Sequence, residues 1–205
     1  MVTSLLQEFV ALTLQHLVLV GVSMLLAASV AIPLGIVLSW RSGWRDWTLG
    51  LTNVVQTIPS LALFGFLIPL PFLGGIGPHT AIIALVLYAL LPMLRNTVTG
   101  ITNVDASVLE SATALGMTPR ERLWQVELPL AAPTILAGIR IATVTTIGTA
   151  TIAAAIGAGG LGVFIFRGLA AVDSVLLLAG AVPAALMALA ADRGLEWVER
   201  ALSRR

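Results

Sequence analysis

The residues of this 205-residue chain that could do chemistry are few and unevenly placed. Cysteine is absent, which removes disulfides and thiolate chemistry, and the only histidines are His16 and His79. They are far apart and lack neighbouring carboxylates at ligand spacing, so no metal site is expected. Nucleophilic catalysis would need Ser60 or Ser29 paired with His79 or His16 as base. Neither serine sits in a nucleophile motif, and His79 falls in a Gly/Pro-rich loop, so an intramembrane hydrolase is the weakest reading. No G-x4-G-K-[ST] phosphate loop occurs, so the chain is not expected to bind ATP itself.

The one long polar stretch, residues 105–140, is therefore the place to look. Asp105 can cap a helix through Val108, Leu109, Ala112 and Leu115, which stops at Gly116, a residue that tolerates a left-handed backbone. Thr118, Pro119 and Glu121 then form an N-cap, a first-turn proline and the partner of a capping box. Leu123, Trp124 and Val126 supply apolar content, and Pro129 is expected to end this second helix. Arg120 and Arg122 are offset by Glu110, Glu121 and Glu127, so no basic face forms and no nucleic-acid partner is expected.

The elements that must position this handle are spans. The chain is 58% hydrophobic and 10% charged with mean hydropathy +1.01, outside the range of soluble domains. Charge is missing over residues 9–40, 47–94, 141–166 and 174–191. A span needs about 20 apolar residues, so the second gap holds two and the total is about five: residues 17–40, 51–70, 81–94, 133–156 and 175–191. The fold class is an all-α integral membrane protein, one transmembrane domain over 1–205. All eleven basic residues are arginines, and ten cluster on the side that holds 105–131 when Arg140 is counted with the loop before its span, only Arg167 lying opposite. By the positive-inside rule the N-terminus is outside and the C-terminus inside. Trp40, Trp44 and Trp47 read as an aromatic anchor at the headgroups. The first ten residues lack a basic n-region and read as a retained amphipathic lead-in.

The spacing Glu110-Ser111-Ala112, three residues, Gly116, nine residues, Val126-Glu127-Leu128-Pro129 resembles the EAA motif of bacterial ABC importer permeases, E-A-A-x3-G-x9-I-x-L-P. Ser111 stands for alanine and Val126 for isoleucine. The resemblance implies a type I importer core and makes residues 105–131 the cytoplasmic coupling-helix loop that meets a partner ATPase. It assigns that contact to Glu110, Ser111, Ala112, Gly116, Met117, Thr118, Pro119, Val126, Leu128 and Pro129.

Three further stretches, QTIPSLALFG (56–65), LYALLPMLRNTVTGI (87–101) and TIAAAIGAGGLG (151–162), resemble the osmoprotectant permeases in particular. They imply import of glycine betaine, choline or carnitine by a multi-pass protein of the bacterial cell membrane. The implied partners are a cytoplasmic ABC ATPase dimer, which holds ATP and Mg, a second permease subunit, the same or related, an extracytoplasmic substrate-binding protein and the lipid bilayer. The chain itself is then non-catalytic and carries no cofactor. An ABC permease for an amino acid or methionine-like solute is the alternative. Asn53, Gln56, Thr57, Ser60 and Tyr88 are candidates for the translocation path, and Gly157, Gly159 and Gly160 for a gate loop. With Arg140 counted with the polar loop that precedes its span, no acidic or basic residue falls inside the five expected spans, so coupling to protons or sodium is not expected.

Overall fold

The computed structural model describes residues 2–71 and 73–203. Phe72, Arg204 and Arg205, expected in the outer turn and the C-terminal tail, lie outside the described residues. Those residues form helices α1 (Val2–Ser39), α2 (Ser42–Thr57), α3 (Ser60–Leu67), α4 (Pro78–Thr102), α5 (Ala106–Ala114), α6 (Pro119–Arg122), α7 (Leu128–Ile152), α8 (Gly162–Ala171) and α9 (Ser174–Ser203). A wide π turn, Leu123–Glu127, joins α6 to α7, and a 3-10 turn, Ala153–Ile156, follows α7.

Among the described residues, four helices are long and apolar enough to span: Leu5–Ser39, Pro78–Thr102, Pro119–Ile156 and Ser174–Leu202. The second expected span, 51–70, is a broken pair, Gly43–Thr57 and Ser60–Leu67, bent by 99°, which makes five spans if the pair is counted as one. Pro59 is the cause: it lacks an N–H and pushes Ile58 to an extended backbone, φ −72 and ψ 126. All the long helices overrun the apolar windows. The N-terminal lead-in is continuous with α1, two of the three tryptophans lie in α2, and the segment carrying Arg167 is helix α8. Backbone hydrogen bonds continue where hydropathy stops, which is why charge gaps undercount helix length.

The core is built from small residues. Ala27 and Ala31 of α1, Ala81, Ala84 and Ala89 of α4, and Ala142 and Ala150 of α7 are all fully buried, so these three helices approach closely, as helices do where no hydrophobic drive acts between them. Leu85, Met93, Leu94 and Phe64 fill the gaps. The outer faces of α1 and α9 carry leucine and valine toward lipid, Leu25 at 73% exposure and Val175 at 79%. α9 packs on α7 and α8; Arg140 of α7 reaches both Asp192 and Glu199 of α9 at 3.3 Å. The seam between α4 and α7 is tight at Gly138 of α7, where a Cβ would lie 2.5 Å from the Asn96 Cβ and 2.8 Å from the Pro92 carbonyl of α4.

Gly138→Ala should therefore force α4 from α7, an overpacking cost of about 1–3 kcal/mol. Its thermal midpoint in detergent should fall, while Gly21→Ala, at a site with nothing within 4 Å, should leave it unchanged or raise it. Equal midpoints for the two variants would contradict this packing.

Candidate functional site: a polar loop and a polar cavity joined by one helix

The polar loop folds largely by local rules. Asp105 caps α5, its Oδ1 accepting from the Ser107 N–H at 2.8 Å. Gly116 sits at φ +82, and the helix closes as a Schellman turn: the Gly116 N–H donates to the Thr113 carbonyl and the Met117 N–H to the Ala112 carbonyl. The Thr118 hydroxyl accepts from the Glu121 N–H while Glu121 accepts from the Thr118 N–H, a complete capping box. These backbone donors hold the Asp105 and Glu121 carboxyls below their ordinary range.

Pro129 does not end the second helix. The wide turn at Leu123–Glu127, in which the Leu128 N–H donates to the Leu123 carbonyl five residues back, carries the chain past it. Pro129 offers no N–H and would clash with the Gln125 carbonyl in a regular turn; one extra residue in the turn relieves both. The result is a single rod from Pro119 to Ile156. Glu127 is buried at 2% exposure, and its Oε1 accepts from Arg122 Nε at 2.8 Å. This pair was not legible in sequence, because a spacing of five is not a helical i+3 or i+4 contact.

Of the residues assigned to the loop, Ala112 is buried, Met117, Val126 and Leu128 are half-buried, and Gly116, Thr118 and Pro119 are exposed. The Ser111 hydroxyl donates to the Ser107 carbonyl. Glu110 lines an open groove of about 410 Å³ with Ala106, Leu109, Thr113, Ala114 and Arg122. Leu115 (80%) and Trp124 (63%) project from this surface.

At the other end of the rod, the break between α2 and α3 opens a cavity of about 340 Å³, lined by Gln56, Thr57, Ile58, Pro59, Ser60, Tyr88, Thr145 and Thr149. Four of the five expected path residues meet here. Asn53 does not: one turn earlier, its Oδ1 accepts from Arg95. The cavity is stitched open by a reciprocal pair, the Gln56 amide donating to the Tyr88 carbonyl at 2.8 Å and the Tyr88 hydroxyl donating to the Ile58 carbonyl freed by Pro59. Thr57, Thr145 and Thr149 donate their hydroxyl hydrogens to Val54, Ile141 and Thr145 carbonyls. With the hydrogens turned inward, these oxygens offer acceptor lone pairs to the cavity. Thr145 and Thr149 are not among the expected path residues; their four-residue spacing, one face of α7, is the signal the sequence offers for them.

The glycine loop lies against α1. Gly157, Gly159 and Gly160 all have φ between +75 and +79, and the Gly160 N–H donates to Gln15 Oε1 at 3.3 Å. Ile156 accepts from the Gly77 N–H at 2.9 Å, tying this loop to the start of α4. His16 is fully buried with Nε2 on the Ile147 carbonyl, and the Ser29 hydroxyl donates to Leu26; neither side chain is committed to a serine–histidine pair.

With this geometry in hand, comparisons are specific. The family model described as binding-protein-dependent transport system inner membrane component matches residues 31–204. The choline transport system permease protein OpuBB of Bacillus subtilis (strain 168) is 44% identical over 196 residues, covering 96% of this chain and 89% of that one. The glycine betaine/carnitine/choline transport system permease protein OpuCD of the same strain is 46% identical over 199 residues, 97% and 84% of the two chains. The carnitine transport permease protein OpuCD of Listeria monocytogenes serotype 1/2a is 44% identical, with 92% and 84% covered. Among solved structures, a chain of the MetNI methionine ABC transporter in an inward-facing conformation superposes with TM-score 0.85, covering 96% of each chain at 21% identity, a likeness of fold.

Gly116→Leu places a branched side chain in the left-handed region, which costs roughly 1–2 kcal/mol; α5 should fray, read as faster amide exchange at Gly116 and Met117, with the spans still folded. On the pH axis, the Asp105 cap is in force above its ordinary value of 3.8 and is lost as pH falls through its lower folded value. The Ser107 amide should therefore stay protected at pH 5, and loss of protection there would contradict the cap.

Proposed function

This chain belongs to the family of binding-protein-dependent transport system inner membrane components, and from that premise we propose that it is the membrane permease of an ATP-driven importer of quaternary ammonium osmoprotectants. The observation that carries the cargo class is identity of 44–46%, over more than nine-tenths of the chain, to permeases whose names specify choline, carnitine and glycine betaine. The cavity's chemistry supports it. It holds no charged residue, one aromatic ring and hydroxyl oxygens presented as acceptors. That surface suits a fixed cation or zwitterion, which needs an acceptor-rich, aromatic-lined passage but would be trapped by a full carboxylate. The amino-acid alternative draws on a methionine transporter at 21% identity, a likeness that carries the fold and no cargo.

In this reading the loop 105–131 faces the cytoplasm, its exposed Leu115 and Trp124 and the groove beside Glu110 meeting an ATPase that binds ATP and Mg. The glycine loop at 157–160 lies at the outer end, where a substrate-binding protein delivers cargo. The arginine bias supports that orientation. Gln56, Thr57 and Thr145 are exposed polar groups in a chain otherwise coated with leucine and valine. Each donates a hydrogen bond within the chain, and lipid would offer nothing to their remaining polar atoms, so a second permease subunit covers this face and completes the path.

The test is uptake of labelled choline and glycine betaine by the chain with its cognate ATPase and binding protein in proteoliposomes. Both should enter in an ATP-dependent manner, and Tyr88→Leu should slow uptake about 2- to 30-fold relative to Tyr88→Phe, which keeps the ring, the range expected for removing one cation–π contact. An assembled complex that moves neither compound would return the cargo to the amino-acid class.

A further inference from the structure

The segment Leu123–Glu127 carries more than a way past Pro129. In a regular α-helix, residues five apart sit about 140° around the axis, on faces that the helix body separates. The wide turn brings Arg122 and Glu127 round to one side, and there they meet at 2.8 Å. The contact requires the turn. Glu127 is buried with its Oε2 facing no hydrogen-bond partner among the described residues, so Arg122 is the group that compensates its burial. Arg122 is only about a third exposed and also lines the groove beside Glu110. It therefore touches the docking surface and the root of α7 at once. In the resembling motif the position of Glu127 is a variable one, between the fixed apolar residue and Leu128, so nothing in that pattern assigns it.

We propose that the Arg122–Glu127 pair is a latch that holds the wide turn and so sets the rotational phase of the polar loop relative to α7. It is a positioning pair, acting through the backbone and touching neither cargo nor nucleotide. Without it the turn is held by Pro129 alone, and any relaxation toward a regular turn would rotate α6 and the loop before it by up to about 100° around the α7 axis and shift them by up to about 1.5 Å along it. The groove would then be presented out of phase with the rod that must carry its motion. The role in energy coupling rests on the reading of 105–131 as the ATPase contact; the latch itself does not.

Two measurements on Glu127→Gln separate these. The chain has no cysteine, so spin labels at Arg120→Cys and Leu130→Cys, both exposed positions astride the turn, report its register in the full-length protein in nanodiscs, with labelled chain diluted into unlabelled. A single narrow distance distribution is expected for the native pair and a broadened or second population for Glu127→Gln. In the complete complex, choline uptake per ATP hydrolysed should fall at least about tenfold, the scale of breaking a buried ion pair, with ATP hydrolysis retained. Arg122→Gln removes the same pair from its more exposed end and should reproduce both effects if Glu127→Gln fails to assemble. An unmoved distance distribution overturns the latch, whatever the uptake. A shifted distribution with native uptake per ATP overturns its role in coupling. Failure of the native complex to import in an ATP-dependent manner counts against the functional reading and leaves the spin-label result standing.

Discussion

The cavity depends on one reciprocal contact, Gln56 to the Tyr88 carbonyl and the Tyr88 hydroxyl to the Ile58 carbonyl. Pro59 breaks a helix at membrane depth, and a broken helix exposes backbone groups that hydrocarbon cannot satisfy. Tyr88 caps the carbonyl that the break sets free, and Gln56 returns the bond to the neighbouring helix. The 99° bend is thereby affordable, α3 can turn aside, and the face of α7 that carries Thr145 and Thr149 is uncovered. Remove that stitch and the bend loses its compensation; the cavity is a consequence of the bend.

The second dependence is mechanical. Pro119 to Ile156 is one rod that includes both the root of the polar loop and the two cavity threonines. From Thr118 to Thr149 it runs about 45 Å at the rise of an α-helix. A displacement at one end has a direct covalent and hydrogen-bonded route to the other, provided that the rod does not yield at a weak point. One such point is the π turn, where the ladder of four-residue bonds is interrupted. Pro129 and the Arg122–Glu127 pair both act there, which gives the local irregularity a place in the whole.

Much of this was legible in the sequence, and the failures have a common cause. The caps at Asp105 and Thr118 and the turn at Gly116 follow from residues within four positions of each other, and they appear as expected. Membrane insertion and the family resemblance followed from composition and from the 105–131 spacing. Helix ends were misjudged wherever hydropathy stood in for hydrogen bonding: α1 starts fifteen residues before its expected span, at Val2 rather than 17, because Gln7 and Glu8 interrupt the apolar run but not the helix. Pro129 was read as a stop since the rule for prolines assumes a regular turn, and the wide turn evades it. Asn53 was grouped with Gln56 and Thr57 by proximity in sequence; it shares their helix face but lies one turn from the break, beside Arg95. Thr145 and Thr149 belong to the cavity only because the bend exposes them, which no local pattern reports.

The central claim is that the loop at 105–131 is where a cytoplasmic ATPase grips the rod. Because the chain lacks cysteine, Leu115→Cys, at the most exposed apolar tip of the loop, can carry a single short photoactivatable crosslinker in the assembled complex. The account predicts that it captures the ATPase subunit, while the same probe at Val172→Cys, an exposed residue between α8 and α9 at the far end, does not. Capture of the substrate-binding protein from Leu115, or of the ATPase from Val172, would invert the orientation and contradict the account.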